Sequence, residues 1–158
     1  MAATHYKRPE SVLVVICTVA GEVLLLQRRE PSDFWQSVTG SLHWDESPAQ
    51  AAQRELAEET GLSGVTIEDC QQQNRYAILP SWRPRYDPAI NENLEHVFRV
   101  VLPARCPIVI APSEHTAFRW VARDKALRLV SSVTNRAAIL ALQQSGFETR
   151  LCNLPGEL

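Results

Sequence analysis

Two rhythms of hydrophobic and polar positions run along the chain. Ser11–Thr18 (SVLVVICT) is a β-branched apolar run, which predicts a buried strand. Gly21 and Glu22 mark a turn, and Val23–Arg28 reads as the hairpin partner of that strand. Pro31-Ser32-Asp33 is a loop, Phe34–Val38 a short strand and Gly40–Glu46 a second loop. Val65–Cys70 and Asn74–Leu79 read as two strands, as do Leu94–Leu102 and Ala117–Val121. Between them, Leu79–Pro88 carries three prolines and is a loop.

The helical rhythm is clearest over Ser47–Thr60. Ser47 is an N-cap, Pro48 falls at the first helical position, Gln50 completes a capping box and Gly61 is the stop. Arg123–Leu129 reads as a short helix. Ser132–Gln144 reads as a second long one, with Ala138, Ile139 and Leu142 on its apolar side and Gly146 ending it. Arg150–Leu158 has no periodicity and reads as a frayed tail. Strands mixed with two long helices give an α+β or α/β class, with one domain over 1–149 and a tail over 150–158.

Composition narrows the partners. The chain has 158 residues, 45% hydrophobic and 22% charged, which is ordinary for one globular domain. A net charge of −2 gives no electrostatic case for nucleic acid. Val12–Ala20 falls short of the roughly 20 apolar residues of a membrane span. The first residues, Met1–Pro9, lack the apolar region of a secretory signal. Cys17, Cys70, Cys106 and Cys152 form no CxxC pair, so reduced thiols in a cytoplasmic protein are expected. A monomer is expected as well.

The charge is unevenly spread, and here the chemistry begins. Residues 40–62 hold Asp45, Glu46, Glu55, Glu58 and Glu59 against Arg54 alone. At about 100° per residue, Glu55, Glu58 and Glu59 share an arc of about 100° beside Leu56 and Ala52, so the acidic stripe borders the buried face. Like charges at these spacings each cost about 0.2–0.5 kcal/mol, and Glu58 and Glu59 sit at the helix end that disfavours anions. A solvated helix face partnered by Arg54 is the bland reading of any isolated E-x-x-E-E. A hard divalent cation such as Mg²⁺ or Mn²⁺ is the chemical one.

The wider pattern favours the cation. From Gly40 the chain runs five residues to Glu46, seven more to Arg54-Glu55-Leu56, then Glu58-Glu59 and Gly61-Leu62. This resembles the Nudix box, GX5EX7REUXEEXGU with U apolar, at all nine defined positions. The resemblance implies a mixed sheet sandwiched between helices (an α/β/α sandwich), with the box as loop–helix–loop. It implies hydrolysis of phosphoric anhydrides with Mg²⁺ or Mn²⁺. By position, Glu55 and Glu59 are the leading metal ligands and Glu58 a further ligand or base. Arg54 orients them, Glu46 braces the loop, and Gly40 and Gly61 are structural. Asp45 stands where many relatives carry Gly; Asp tolerates left-handed backbone, so the turn can survive.

The flanks resemble one branch of that family, whose members release pyrophosphate from 7,8-dihydroneopterin triphosphate on the way to folate. The matching segments are Tyr6–Pro9, Leu26–Arg29, Phe34–Gly40, Arg83–Tyr86, Ser113–His115 leading into Phe118–Trp120, and Ser132–Arg136. The resemblance implies that Lys7, Arg28 and Thr39 contact the substrate. It further implies that Tyr76, Ala77, Ile78 and Leu79 line a ring pocket, that Ser132 closes it, and that Glu114 completes the metal site. Each has a plainer reading: surface bases for Lys7 and Arg28, a strand end for Thr39, core for Tyr76, an N-cap for Ser132 and a loop acid for Glu114. His43 reads as an exposed loop residue before a ligand, and Trp44 has no assigned role. The loop with Arg83 and Arg85 is either a basic lid or a static solvated segment.

The resemblance thus implies a small-molecule triphosphate as substrate. A nucleoside or deoxynucleoside triphosphate pyrophosphohydrolase has the same box, which handles phosphates and not the base. A binding module on the same fold is disfavoured, because such modules are expected to lose box acids that this chain keeps.

Overall fold

A computed structural model describes residues 5–142. β1 (Glu10–Thr18) is its centre. It lies parallel to β6 (Glu92–Leu102) over its whole length, from Glu10 opposite Leu94 to Thr18 opposite Leu102. On its other side, the first half of β1 pairs antiparallel with β4 (Val38–Ser41), while β2 (Glu22–Arg28) meets it only at Cys17 and Val23. β2 then leaves to pair antiparallel with β3 (Trp35–Gln36) and β7 (His115–Ala122). β5 (Glu68–Ala77) closes the far edge against β6. The sheet is therefore mixed, and it splits where β1 exchanges β2 for β4.

Alternation along β1 builds two cores, which is why its apolar run is continuous rather than alternating. Val12, Val14 and Ile16 pack with Ala51, Ala52 and Leu56 of α1 (Pro48–Thr60). Leu13, Val15 and Cys17 pack with Ala126 of α2 (Arg123–Leu129) and with Ala138 and Ile139 of α3 (Val133–Leu142). The result is the expected α/β/α sandwich of an α+β chain. No described helix is long and apolar enough to cross a membrane.

Several expectations are corrected. The stretch Phe34–Val38 is two strands broken at Ser37, and Gly40 and Ser41 belong to β4 rather than to a loop. At the break, the Ser37 N–H donates to Asn135 Oδ1 at 2.8 Å and Asn135 Nδ2 donates to Ser37 Oγ at 2.9 Å. A helix side chain thus replaces the missing ladder bonds. Instead of two strands over 65–79 there is one, β5, with a bulge between Asp69 and Gln72. Gln71 takes φ 52° there, and its N–H donates to Asp69 Oδ1 at 2.8 Å. Val65 and Ile67 lie outside the strand and pack on the α1-side core. The bulge lets β5 continue through a polar stretch that local pattern reads as a break. α3 begins at Val133, with the Asn135 N–H donating to Ser132 Oγ at 3.3 Å. The expected Gly146 stop and the tail over 150–158 lie outside the described residues.

Candidate active site

The loop after β4 and the first turns of α1 form one ion-paired unit. Ser47 and Gln50 make the capping box, and Gly61 ends the helix at φ 76°. Arg54 Nε and Nη2 donate to the two carboxylate oxygens of Glu46, both at 2.8 Å. Arg54 Nη1 donates to Glu55 Oε1 at 2.7 Å and to the exposed Glu58 at 3.3 Å. The Arg54 hydrogen bonds hold the Glu46 carboxyl down at about 2. Glu46 also accepts the His43 N–H at 3.1 Å, so it ties the loop to the helix. Arg8, which sequence reasoning passed over, donates to the carbonyls of His43, Trp44 and Glu46. Trp44 is exposed, yet its Nε1 donates to the Tyr6 carbonyl at 2.9 Å. Asp45 does not need left-handed backbone; among the described residues only Gln71 departs from the rule for non-glycines.

Gly40 has a specific steric reason. A Cβ there would lie 2.1 Å from the Glu55 carboxyl carbon, so the missing side chain is the space the carboxylate occupies. Glu55 and Glu59 are buried, 7% and 2% exposed, so the acidic stripe enters the buried face rather than bordering it. Burial pushes the Glu55 carboxyl up, against the opposing pull of Arg54. Glu59 is pushed well above the usual carboxylate range by burial, then by the neighbouring Glu55 and Glu114. Its Oε2 accepts the Thr39 N–H at 3.3 Å. Thr39 is itself fixed by its hydroxyl, which donates to the Val12 carbonyl at 2.9 Å.

Glu114 arrives from the turn before β7. Its carbonyl accepts the Arg29 N–H at 2.8 Å, which anchors the turn to the end of β2. Donor atoms of Glu59, Glu114 and His115 all lie within 4.8 Å of one another. Glu59 and Glu114 crowd around a buried position with Glu55 nearby, and Arg54, shared between Glu46 and Glu55, offsets that crowding only in part. That is the electrostatic requirement of a divalent cation, and the oxygen-rich donor set fits one. His115 was not singled out beyond its place in a matching segment. It is 2% exposed and burial depresses its pKa.

Lys7 faces these acids, and Arg28 lies near Lys7 and His115. Lys7 is held by its backbone N–H, which donates to the Arg85 carbonyl at 2.9 Å. Its ammonium feels both Glu55 and Glu114, while desolvation and then Arg85 lower its pKa. The Arg28 guanidinium lies over the rings of Phe34, 5.9 Å away, and Trp82, 5.6 Å away. Through Trp82 and Arg85, the loop over 79–88 is docked on the two bases. It contains a short 3₁₀ turn, Arg83–Arg85. Among the other expected residues, Tyr76 is half-buried, Ile78 buried, and Ala77 and Leu79 exposed. Tyr76 Oη accepts from Asn93 Nδ2 at 3.0 Å, and the same amide donates to Ser11 Oγ at 2.8 Å. Beside them Glu95 is buried, accepting from Asn74 Nδ2 at 3.2 Å and from the Thr134 hydroxyl. Thr134 in turn touches Ser132 Oγ at 3.1 Å. Tyr76 thus touches Asn93 of this polar group, and Ser132 reaches Glu95 through Thr134. Asn93 and Glu95 were missed, because alternate polar residues in a strand usually face water.

Comparison with known proteins follows the same lines. The NUDIX domain model matches residues 7–150. The chain belongs to the Nudix family. Dihydroneopterin triphosphate diphosphatase of Escherichia coli K12 is 43% identical over 139 residues, covering 85% of this chain and 91% of that protein. The Haemophilus influenzae protein of the same name is 40% identical over 140 residues, covering 85% and 87%. The solved structure of the E. coli dihydroneopterin triphosphate pyrophosphohydrolase superposes with a TM-score of 0.78 at 42% identity, covering 85% of this chain and 94% of that one. The Nudix assignment makes the chain a hydrolase of a small-molecule phosphate substrate, of a kind that generally uses divalent metals.

Proposed function

We propose that the protein is a Mg²⁺-dependent pyrophosphohydrolase that cleaves 7,8-dihydroneopterin triphosphate to dihydroneopterin monophosphate and pyrophosphate. The observation that carries this reading is the convergence of Glu55, Glu59 and Glu114, with the Lys7 ammonium near Glu55 and Glu114. The substrate rests on relatives of that name at 40–43% identity. In this reading Glu55, Glu59 and Glu114 hold Mg²⁺, with Mn²⁺ able to replace it, and Glu58 serves as a further ligand or base. The cation supplies charge withdrawal from the phosphates and acidification of bound water.

The chain's own residues do the rest. Arg54 holds Glu55 in place, and Thr39 holds Glu59. Lys7 and Arg28 neutralise the polyphosphate. Tyr76–Leu79 and Ser132 border the ring. The protein works as a cytoplasmic monomer with no nucleic-acid or membrane partner.

The test is product analysis with Mg²⁺ on dihydroneopterin triphosphate and on each deoxynucleoside triphosphate. Pyrophosphate release with kcat/KM highest for the pterin is expected. A nucleotide preference keeps the metal site and overturns the substrate. Glu59→Gln should lose more activity than the roughly 100-fold typical of removing a group that only supports a ligand. Full activity in that folded variant overturns the site.

A further inference from the structure

The acids around Glu59 are joined by a side chain of different chemistry. His115 is 2% exposed, and one of its ring nitrogens lies within 4.8 Å of carboxylate oxygens of both Glu59 and Glu114. Its Nε2 meets the Gln36 amide at 3.3 Å, while Nδ1 is buried with no hydrogen-bond partner. A buried ring nitrogen without a partner carries an unrecovered desolvation cost. Its nearest anionic neighbours are the same carboxylates that call for a cation.

We propose that His115 supplies a nitrogen ligand to a divalent cation shared with Glu59 and Glu114, which makes this position favour Mn²⁺ over Mg²⁺. The inference rests on the divalent-cation reading of the acidic cluster and extends it to the choice of metal.

Three physical points support it. A metal-bound imidazole characteristically has its other nitrogen held by a polar group, and Gln36 holds Nε2 here. With the Gln36 amide turned so that its oxygen accepts from Nε2–H, the Nδ1 lone pair is free to bind an ion; the two ends of an amide are interchangeable in such contacts. The spacing also suits an ion. Octahedral bonds of about 2.1 Å put adjacent donors about 3.0 Å apart and opposite ones about 4.2 Å apart, so donors within 4.8 Å of one another close by at most about 2 Å per pair. The selectivity follows from donor type: Mg²⁺ takes oxygen ligands, whereas imidazole suits transition ions and affinity rises along the first-row series from Mn²⁺. Local sequence hides this, because Glu114 and His115 are neighbours while Glu59 is brought in by α1.

The test uses Mn²⁺ itself, without substrate, so it stands apart from the choice between pterin and nucleotide. Pulsed electron paramagnetic resonance on wild-type protein with one equivalent of Mn²⁺ should show nitrogen modulation from a directly bound imidazole. His43→Asn should retain that signal. His115→Gln should lose it and bind Mn²⁺ at least tenfold more weakly by calorimetry, with a smaller loss for Mg²⁺. A wild-type spectrum without nitrogen coupling overturns the proposal, and it does so whether or not the variant folds. So does a folded His115→Gln protein that keeps the signal and binds Mn²⁺ within twofold of wild type.

Discussion

Gly40 shows how one missing atom can shape a site. Its backbone is ordinary strand, so conformational freedom is not the reason for glycine; the Glu55 carboxyl takes the place of a Cβ. Gly40→Ala should push that carboxyl aside. We expect Mn²⁺ affinity, measured by calorimetry, to fall by about 10- to 100-fold, the range seen when a ligand loses its support. Thermal unfolding of the metal-free protein should change less, because the clash is with the far end of a flexible side chain and not with backbone. The motif marks this position as glycine, but only the approach of α1 to β4 explains it. The converse holds for Asn93 and Glu95, which are buried although polar residues of a strand usually face water; Asn93 bonds Ser11, and Glu95 accepts from Thr134 in α3.

At the scale of elements, the box loop and α1 behave as one piece because Arg54 and Glu46 join them. Glu46 titrates at about 2 in the fold and at 4.5 as a free side chain in the unfolded chain. Its folded pKa is depressed, so its stabilisation is complete above pH 4.5 and is lost as pH falls toward 2. Glu46→Gln should therefore be less stable than wild type at pH 7. The gap between the two proteins, measured by urea unfolding, should narrow between pH 4.5 and 2. A gap that stays constant across that window would remove the ion pair from the account. The helix was legible in advance from its caps, since Ser47, Pro48, Gln50 and Gly61 are local signals. The Asp69–Gln72 bulge was not, because only the facing strand β6 determines that β5 continues past it.

Across the whole molecule, α3 does more than cover the sheet. Asn135 reaches from it to the break between β3 and β4 and satisfies Ser37 with two hydrogen bonds. Asn135→Ala leaves the buried Ser37 N–H without an acceptor. An unsatisfied buried donor costs about 1–3 kcal/mol, so the urea midpoint should fall by a corresponding amount with an unchanged slope. A loss below about 0.5 kcal/mol would mean that another group fills the gap. The sequence by itself determined the helix α1, the central strand β1, the box acids and the family, because caps, apolar runs and fixed spacings act through near neighbours in the chain. The tertiary structure alone decided which acids are buried, where the sheet splits, and that His115 joins Glu59 and Glu114. Those outcomes depend on strand pairing between segments as distant as β2 and β7, and long-range pairing leaves no local trace in the chain.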